Sequence, residues 1–400
     1  MNILVVSQYF WPENFLINNI SMGLVERGHN VTVLTGCPNY PGGKLYAGYG
    51  YINRRQDYHG VKIVRVPLVP RGKGGGLRLV FNYFSFASSA SVIGPLLCKE
   101  KYDLVFVFEP SPITVGIPAI ILKKLKSVPV MFWVQDLWPE SLAATGAVKS
   151  KMLLSLTGKL VRFIYRRCDR ILIQSRSFFT SVVQQGGSSD RVLYFPNSAE
   201  NIFHAPLPVA GNLSLPEGFR IMFAGNIGVA QDFATIISAA EKLKTRNDIH
   251  WIIVGDGRMR EWAETESCRL GLSSNFHFLG RYPLEAMPRF FSRADALLVT
   301  LRKEPIFSLT IPSKIQSYLA CGRPVIAALD GEGARIVEEA GAGVTCPAES
   351  PDALVSAVLR MYETTVSERE KMGRNGRKYY EENFDRDMLL DKLEKWMKEM

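Results

Sequence analysis

The stretch SLTIPSKIQSYLACGRPVIA, Ser308 to Ala327, decides how the chain folds. Before it lies the apolar run ALLVTL (296–301), which reads as a buried strand. SKIQSYLACG reads as a helix opened after Pro312 and closed by a glycine, and PVIAAL (324–329) as the next strand. Strand, turn, helix and strand in this order make one βαβ unit of a parallel sheet. Ser313 falls at the N-cap or in the first turn, and Lys314 follows in that turn. A cation there opposes the helix dipole at a cost of a few tenths of a kcal/mol, roughly. A bound diphosphate would offset that cost, taking N–H groups around Ser313 to Ile315. The alternative for Lys314 is a plain solvated face. No carboxylate occurs from Ser308 through Leu329.

The same grammar extends on both sides. In the second half RIMFAG (220–225), HWIIVG (250–255), FHFLG (276–280) and AGVTC (342–346) read as further strands with helices between them. Two closing helices, about 367–382 and 386–399, start near Ser367 and Asp385. In the first half NILVV (2–6), a strand starting at Val31, VKIVRV, DLVFVF, VPVMFWV and RILIQS alternate with helical patterns, the first over about 15–27. Continuous apolar strands alternating with helices imply parallel sheets covered on both faces. FPNSAENIFHAPLPVAGNLSLPEG (195–218) breaks the rhythm and reads as an interdomain linker. The expected fold class is α/β, with two tandem Rossmann-like doubly wound domains facing a cleft. The expected domains are 1–200, 201–384, and a C-terminal helix 385–400 that crosses back onto the N-terminal domain. Ligands of such folds bind at the carboxyl ends of strands.

Composition is globular: 47% of the 400 residues are hydrophobic and 22% charged. Charge is unevenly shared. Residues 1–205 carry 23 Lys and Arg against 11 Asp and Glu, while 206–400 carry 25 against 27. A basic half beside a near-neutral half points to an anionic partner, either nucleic acid or a membrane surface. The six scattered cysteines contain no C-x-x-C and no zinc spacing, which suggests reduced thiols. MNILVVSQYFWPE lacks a basic leader and reads as a first strand, so a cytoplasmic protein is expected.

Two further turns suit phosphate. FAGNIGVAQDF (223–233) is strand, glycine-rich turn and helix. Gly225 and Gly228 permit close approach, and Asn226 and Gln231 offer amides. VGDGR (254–258) repeats the device with Gly255 and Gly257, and Asp256 there reads as a helix cap.

Taken in order and spacing, FAGNIG with Gln231, VGDG, FLGR, IPSKIQSYLACGRPVIA and EEAGAG resemble the C-terminal half of family-4 glycosyltransferases. ILVVSQYFWPE, RGHNVTVLTG and FWVQDLWPES resemble the N-terminal half, so the likeness covers essentially the whole chain. It implies the GT-B fold, with a nucleotide-sugar in the C-terminal domain, an acceptor in the N-terminal one, retention of anomeric configuration, and no metal or other cofactor. The chain looks most similar to bacterial surface-polysaccharide transferases, among them the L-fucosamine (FucNAc) transferases of O-antigen assembly. The family's two glutamates would fall at Leu309 and Ser317, and its basic pair at Asn226 and Gln231; all four differ here. The resemblance therefore implies a changed grip, with Lys314 replacing the lost cation and Ser317 bonding a ribose hydroxyl. Arg281 and Tyr282 match where the family holds the base.

Carboxylates at strand ends are the catalytic candidates. Asp136, in VQDLWPES, heads the list, with capping of the next helix as its alternative. Glu13 in YFWPENF and Glu109 in FEPSP are the others, and Asn14 and Gln135 are expected to orient an acceptor. DRD (385–387) heads the last helix and reads as capping. His29 reads as structural.

The basic half contains RGKGGGLRLVFNYFSFASSASVIGPLLC (71–98), IPAIILKKLK (117–126) and KSKMLLSLTGKLVRFIYRR (149–167). Apolar faces mixed with cations suit peripheral attachment to an anionic leaflet, here the cytoplasmic face of the inner membrane. Asn82 and four serines argue against a membrane-spanning 77–98. The expected partners are a UDP-sugar donor and an undecaprenyl-diphosphate-linked acceptor, with no nucleic acid. A UDP-sugar epimerase, a non-catalytic nucleotide-sugar binder and a basic nucleic-acid-binding protein remain as alternatives.

Overall fold

The computed structural model describes residues 1–50, 55–72, 76–144, 146, 148–203 and 214–400. The middle of the expected linker and residues 73–75 of the basic loop lie outside these. The chain divides into two compact units, Met1–Pro196 with Arg386–Met400, and Asn197–Asp385.

The first unit holds β1 (Asn2–Val6), β2 (Asn30–Gly36), β3 (Arg55–Tyr58), β4 (Val61–Val66), β5 (Leu104–Glu109), β6 (Val130–Val134), β7 (Arg170–Ile173) and β8 (Val192–Tyr194). They form one sheet in the order β3-β4-β2-β1-β5-β6-β7-β8. All pairs are parallel except β3 with β4. The central strands are apolar on both faces because helices cover both, and β5 and β6 are buried along their whole length. β3 and β8 extend the sheet beyond the strands read from sequence.

Helix Gly76–Val92 lies on this unit and does not span a membrane. Among the described residues no helix is long and apolar enough to do so. Asn82 explains its placement: fully buried, it accepts from Gln8 Nε2 at 2.7 Å and donates to the Val69 carbonyl at 2.6 Å. The last helix, Arg386–Lys398, belongs to this unit. Leu389, Leu390, Leu393 and Met397 enter the same core as Ile17, Ile20 and Leu24. Arg386 donates to the Asn19 carbonyl at 3.1 Å and pairs with Glu26 at 2.9 Å. His29 is structural: its ring contacts Glu394 on one side and the Met1 ammonium on the other. Asp387 of the DRD run lies 3.7 Å from Arg27.

The second unit holds β9 (Phe219–Ala224), β10 (Ile249–Val254), β11 (Phe276–Gly280), β12 (Ala296–Thr300), β13 (Val325–Ala328) and β14 (Gly343–Cys346). Their order is β11-β10-β9-β12-β13-β14, all parallel. Two cores, one on each face, sandwich the sheet. The sequence reversal between β9 and β12 is the topological switch point, where such folds place ligands. Helix Val366–Asn383 is capped by Thr365 through a capping box with Glu368, so Ser367 lies inside its first turn rather than at the cap.

Candidate active site

In the second unit the carboxyl ends of β9 and β10 are brought together by glycine. Gly225 has φ +135° and Gly255 φ +152°, and a Cβ on Gly255 would stand 1.9 Å from the Gly225 carbonyl. Only glycine permits two turns to touch in this way. A Cβ on Gly228 would stand 2.5 Å from Asn226 Nδ2 and 2.9 Å from Gln231 Oε1, so both amides fold over that glycine. Asp256 accepts from the Gly257 N–H at 2.8 Å, and helix Arg260–Arg269 has Met259 at its cap instead.

Helix Ser313–Ala320 arrives at this cluster with Pro312 as N-cap, which puts Ser313, Lys314 and Ile315 in its first turn. Lys314 does not face water. Its side chain runs beneath the Gly225 turn, where a Cβ on Gly225 would meet Cε at 2.8 Å. Its ammonium sits 3.5 Å from the centroid of the Phe223 ring and has no hydrogen-bond partner among the described residues. Burial pushes it down to about 7. The solvated-face alternative is thereby removed. Gln231 Oε1 is likewise closed off without a partner, as are both polar atoms of Gln316, a fully buried residue that sequence reading missed. Its one signal was an amide amid the apolar positions of SKIQSYLACG.

Other members stand differently. Ile315 packs its side chain in the core, and its N–H already donates to the Pro312 carbonyl at 2.9 Å, which leaves fewer N–H groups for an anion than expected. Ser317 donates to the Ser313 carbonyl at 3.3 Å, and Ser313 is exposed. Arg281 and Tyr282 follow β11, two strands from β9; both are exposed, with the Tyr282 ring edge-to-face with Phe290 at 4.6 Å. Beside the cluster lies a cavity of about 490 Å³, lined by Arg302, Lys303, Glu304, Phe307, Ser308 and Asp330 among others. It adjoins the β9 turn, since the Arg302 N–H donates to the Ala230 carbonyl at 2.9 Å.

In the first unit Glu109, Gln135 and Asp136 come together at the ends of adjacent β5 and β6. The Gln135 N–H donates to the Glu109 carbonyl at 3.0 Å. Glu109 is wholly buried, and neither carboxylate oxygen has a well-formed hydrogen bond among the described residues. Burial, then neighbouring Asp136, drives its carboxyl well above the usual range, and the wholly buried side chain presents no surface to a ligand. Asp136 is half-buried and accepts from Trp138 Nε1 and Ser141 Oγ, each at 3.1 Å, tying down the start of helix Glu140–Ala144. Gln135 Nε2 has no partner among the described residues.

Glu13 belongs to a different network. Its Oε1 accepts the N–H groups of Asn39 and Tyr40, each at 2.7 Å. Burial pushes it up to about 7. It clamps the loop after β1 to the loop after β2, with buried Arg65 bonding the Gly36 and Trp11 carbonyls nearby. Asn14 beside it is exposed. Arg65, Asn39 and Gln8 were not legible as site residues. Among the described residues no group of three or more His, Cys, Asp or Glu is arranged to hold a metal ion.

Residues 16–198 match the family described as glycosyl transferase 4-like domain, and residues 218–364 the family described as glycosyl transferases group 1. The chain is 27% identical to WbjE of Pseudomonas aeruginosa, named as a glycosyltransferase, over 65% of this chain and 66% of that protein. It is 25% identical to WcaI of Escherichia coli, whose name places it in colanic acid biosynthesis, over 98% of each chain. Among solved structures, HepE of Anabaena in complex with UDP superposes with a TM-score of 0.70 at 15% identity, over 100% of each chain. Two doubly wound units in tandem, each matched in turn by a glycosyltransferase domain family, place this chain among the glycosyltransferases of the GT-B fold.

Proposed function

We propose that the chain transfers a sugar, L-FucNAc, from a UDP-sugar to an undecaprenyl-diphosphate-linked saccharide, with retention and without a metal, in surface-polysaccharide assembly. One observation carries the donor site: an ammonium buried without a counter-charge among the described residues, beneath the glycine turn at the switch point. A buried unpaired cation is costly, and such costs concentrate where a ligand relieves them. The UDP diphosphate is the anion that fits the turn at Gly225 and the start of helix Ser313–Ala320, with Gln231 and Asn226 supplying amides. HepE, solved with UDP, and WcaI, named for colanic acid biosynthesis, support this choice of donor class and pathway type. Glu304 and Asp330, in the adjoining cavity, are the carboxylates that take over the sugar hydroxyls from the family's missing glutamates. Ser317 offers the ribose a hydroxyl once it leaves the Ser313 carbonyl, and Arg281 and Tyr282 flank the base.

In the transfer, the bond from the anomeric carbon to the diphosphate breaks and UDP departs with the electron pair. The acceptor oxygen bonds that carbon on the same face, and its proton passes to the leaving diphosphate oxygen. Lys314 stabilises the developing charge. Asp136 orients the acceptor together with Gln135 and Asn14. Glu109 and Glu13 support the loops that carry these groups.

The first unit presents a surface suited to an anionic leaflet on the cytoplasmic side. Helix Gly116–Lys126 packs between helices Gly76–Val92 and Lys151–Tyr165. Leu77, Phe81, Phe84, Leu125, Met152 and Leu156 are exposed on the three. Lys123, Lys124, Lys126, Lys151, Lys159 and Arg162 accompany them. Apolar side chains with cations beside them favour insertion at a charged interface.

The test is a transfer assay with radiolabelled UDP-L-FucNAc and lipid-linked acceptor. Product formation that disappears in Lys314→Met supports the reading. Donor turnover unchanged in that variant, or transfer from no UDP-sugar, overturns it.

A further inference from the structure

At the opposite end of the second unit's sheet from Lys314 lies a second cavity, of about 400 Å³. It opens where β12 and β13 begin, since Asp295 and Pro324 directly precede those strands and both line it. Arg323, Arg369, Arg374 and Arg377 line it too, and among the described residues Asp295 and Glu370 are the carboxylates in the lining. Arg220 and Glu381, beside the cavity, pair with Asp295 and Arg377 at 3.2 and 3.1 Å, so five guanidinium groups stand against three carboxylates, two positive charges in excess.

Glu381 answers Arg377, but the two lining carboxylates do not neutralise the other three arginines. Asp295 is already spent on Arg220, accepting from its N–H at 2.9 Å and its Nε at 3.2 Å, and lies only 3.8 Å from Arg369. Glu370 reaches Arg374 at 3.8 Å on an exposed helix face, where such a pair contributes little. Arg369 is a framework residue: one Nη donates to the carbonyls of Met361, Tyr362 and Thr364. Arg323 donates to the Ser292 carbonyl and is largely withdrawn from water, which pushes its guanidinium down. The cavity also reaches the start of helix Val366–Asn383, the positive end of its dipole, at Val366.

We propose that this cavity is a second anion site, separate from the donor site, that binds the phosphoryl group of a phosphate monoester. Planar guanidinium forks from one helix and from the turn before β13 line one concave site, an arrangement that suits a tetrahedral dianion. The excess of two charges matches that dianion. The phosphate belongs either to a free metabolite or to a lipid headgroup, and both present the same chemistry.

The experiment titrates the full-length protein, saturated with UDP, with glycerol 3-phosphate by calorimetry. In parallel, it measures co-sedimentation with phosphatidylcholine vesicles with and without phosphatidic acid. The same measurements are made on Arg374→Ala/Arg377→Ala, two substitutions on the outer face of a long helix, and on Lys314→Met. Binding of glycerol 3-phosphate that survives saturating UDP and Lys314→Met, but weakens about tenfold or more in the arginine variant, assigns the site to a free phosphate ester. Dependence on those arginines only with phosphatidic acid vesicles assigns it to a headgroup. Glycerol 3-phosphate displaced by UDP, or no dependence on Arg374 and Arg377 in either arm, overturns the proposal. UDP affinity, measured in the arginine variant, should be unchanged, so failure here is separable from failure of the donor-site reading.

Discussion

An ammonium closed off from water and facing only an aromatic ring is strained in its charged form, and Lys314 is in that position. In the unfolded chain a lysine titrates near about 10.4, while burial brings Lys314 down to about 7. Between these values the unfolded chain holds the proton and the folded chain does not. The cost is therefore fully present below about pH 7, and stability rises as pH climbs from there toward about 10. Thermal unfolding should show Lys314→Met to be more stable than the parent near about pH 6, with the gap narrowing near about pH 9. Glu13 gives the opposite slope. Its folded value of about 7 lies above the ordinary carboxyl range. The folded chain holds its proton longer than the unfolded chain, so stability falls as pH rises from about 4 to about 7. Glu13→Gln keeps an acceptor for the Asn39 and Tyr40 N–H groups, and should remove that slope from a series of denaturation midpoints. Gly255→Ala should cost more than about 2 kcal/mol in chemical unfolding, because the new Cβ meets the Gly225 carbonyl at 1.9 Å.

At the scale of elements, the strands that form the two sheets were legible because parallel strands buried on both faces are continuous apolar runs. β3 escaped because RQDY alternates exposed with half-buried residues at a sheet edge, and β8 because three residues carry no period. Helix starts were less legible. Thr365 outcompeted Ser367 as a cap because Glu368 stands three residues later and completes the box. Of the site, the glycine turns and the helix Ser313–Ala320 were readable from spacing. The burial of Lys314, Glu109 and Gln316 was not, because burial is set by elements distant in sequence. Asn82 shows how a single polar residue orients an element: one face of helix Gly76–Val92 is fixed inward by Gln8 and the Val69 carbonyl. Asn82→Leu leaves Gln8 Nε2 without that acceptor and should cost about 1–3 kcal/mol in unfolding free energy.

For the whole molecule, charge and apolar exposure coincide in the first unit. Its sequence carries the excess of cations, and its helices expose the aromatic and aliphatic side chains. Phe81→Ser with Phe84→Ser should weaken binding to anionic vesicles by about tenfold or more, since each buried phenylalanine contributes about 1.5–3 kcal/mol. Raised salt should weaken binding of the parent and of the variant alike, because the cations remain. Equal sedimentation of variant and parent would place the membrane contact elsewhere.

The account depends most on Lys314 meeting the donor diphosphate, and calorimetric titration with UDP tests this directly. The titration is run without metal at about pH 8, in two buffers of different ionisation enthalpy, on the parent and on Lys314→Met. A diphosphate that recharges the buried amine draws a proton from the buffer. The account predicts UDP binding with proton uptake in the parent, and in Lys314→Met an affinity at least about tenfold lower with no uptake. Equal affinity in both proteins, with no buffer dependence in either, would contradict it.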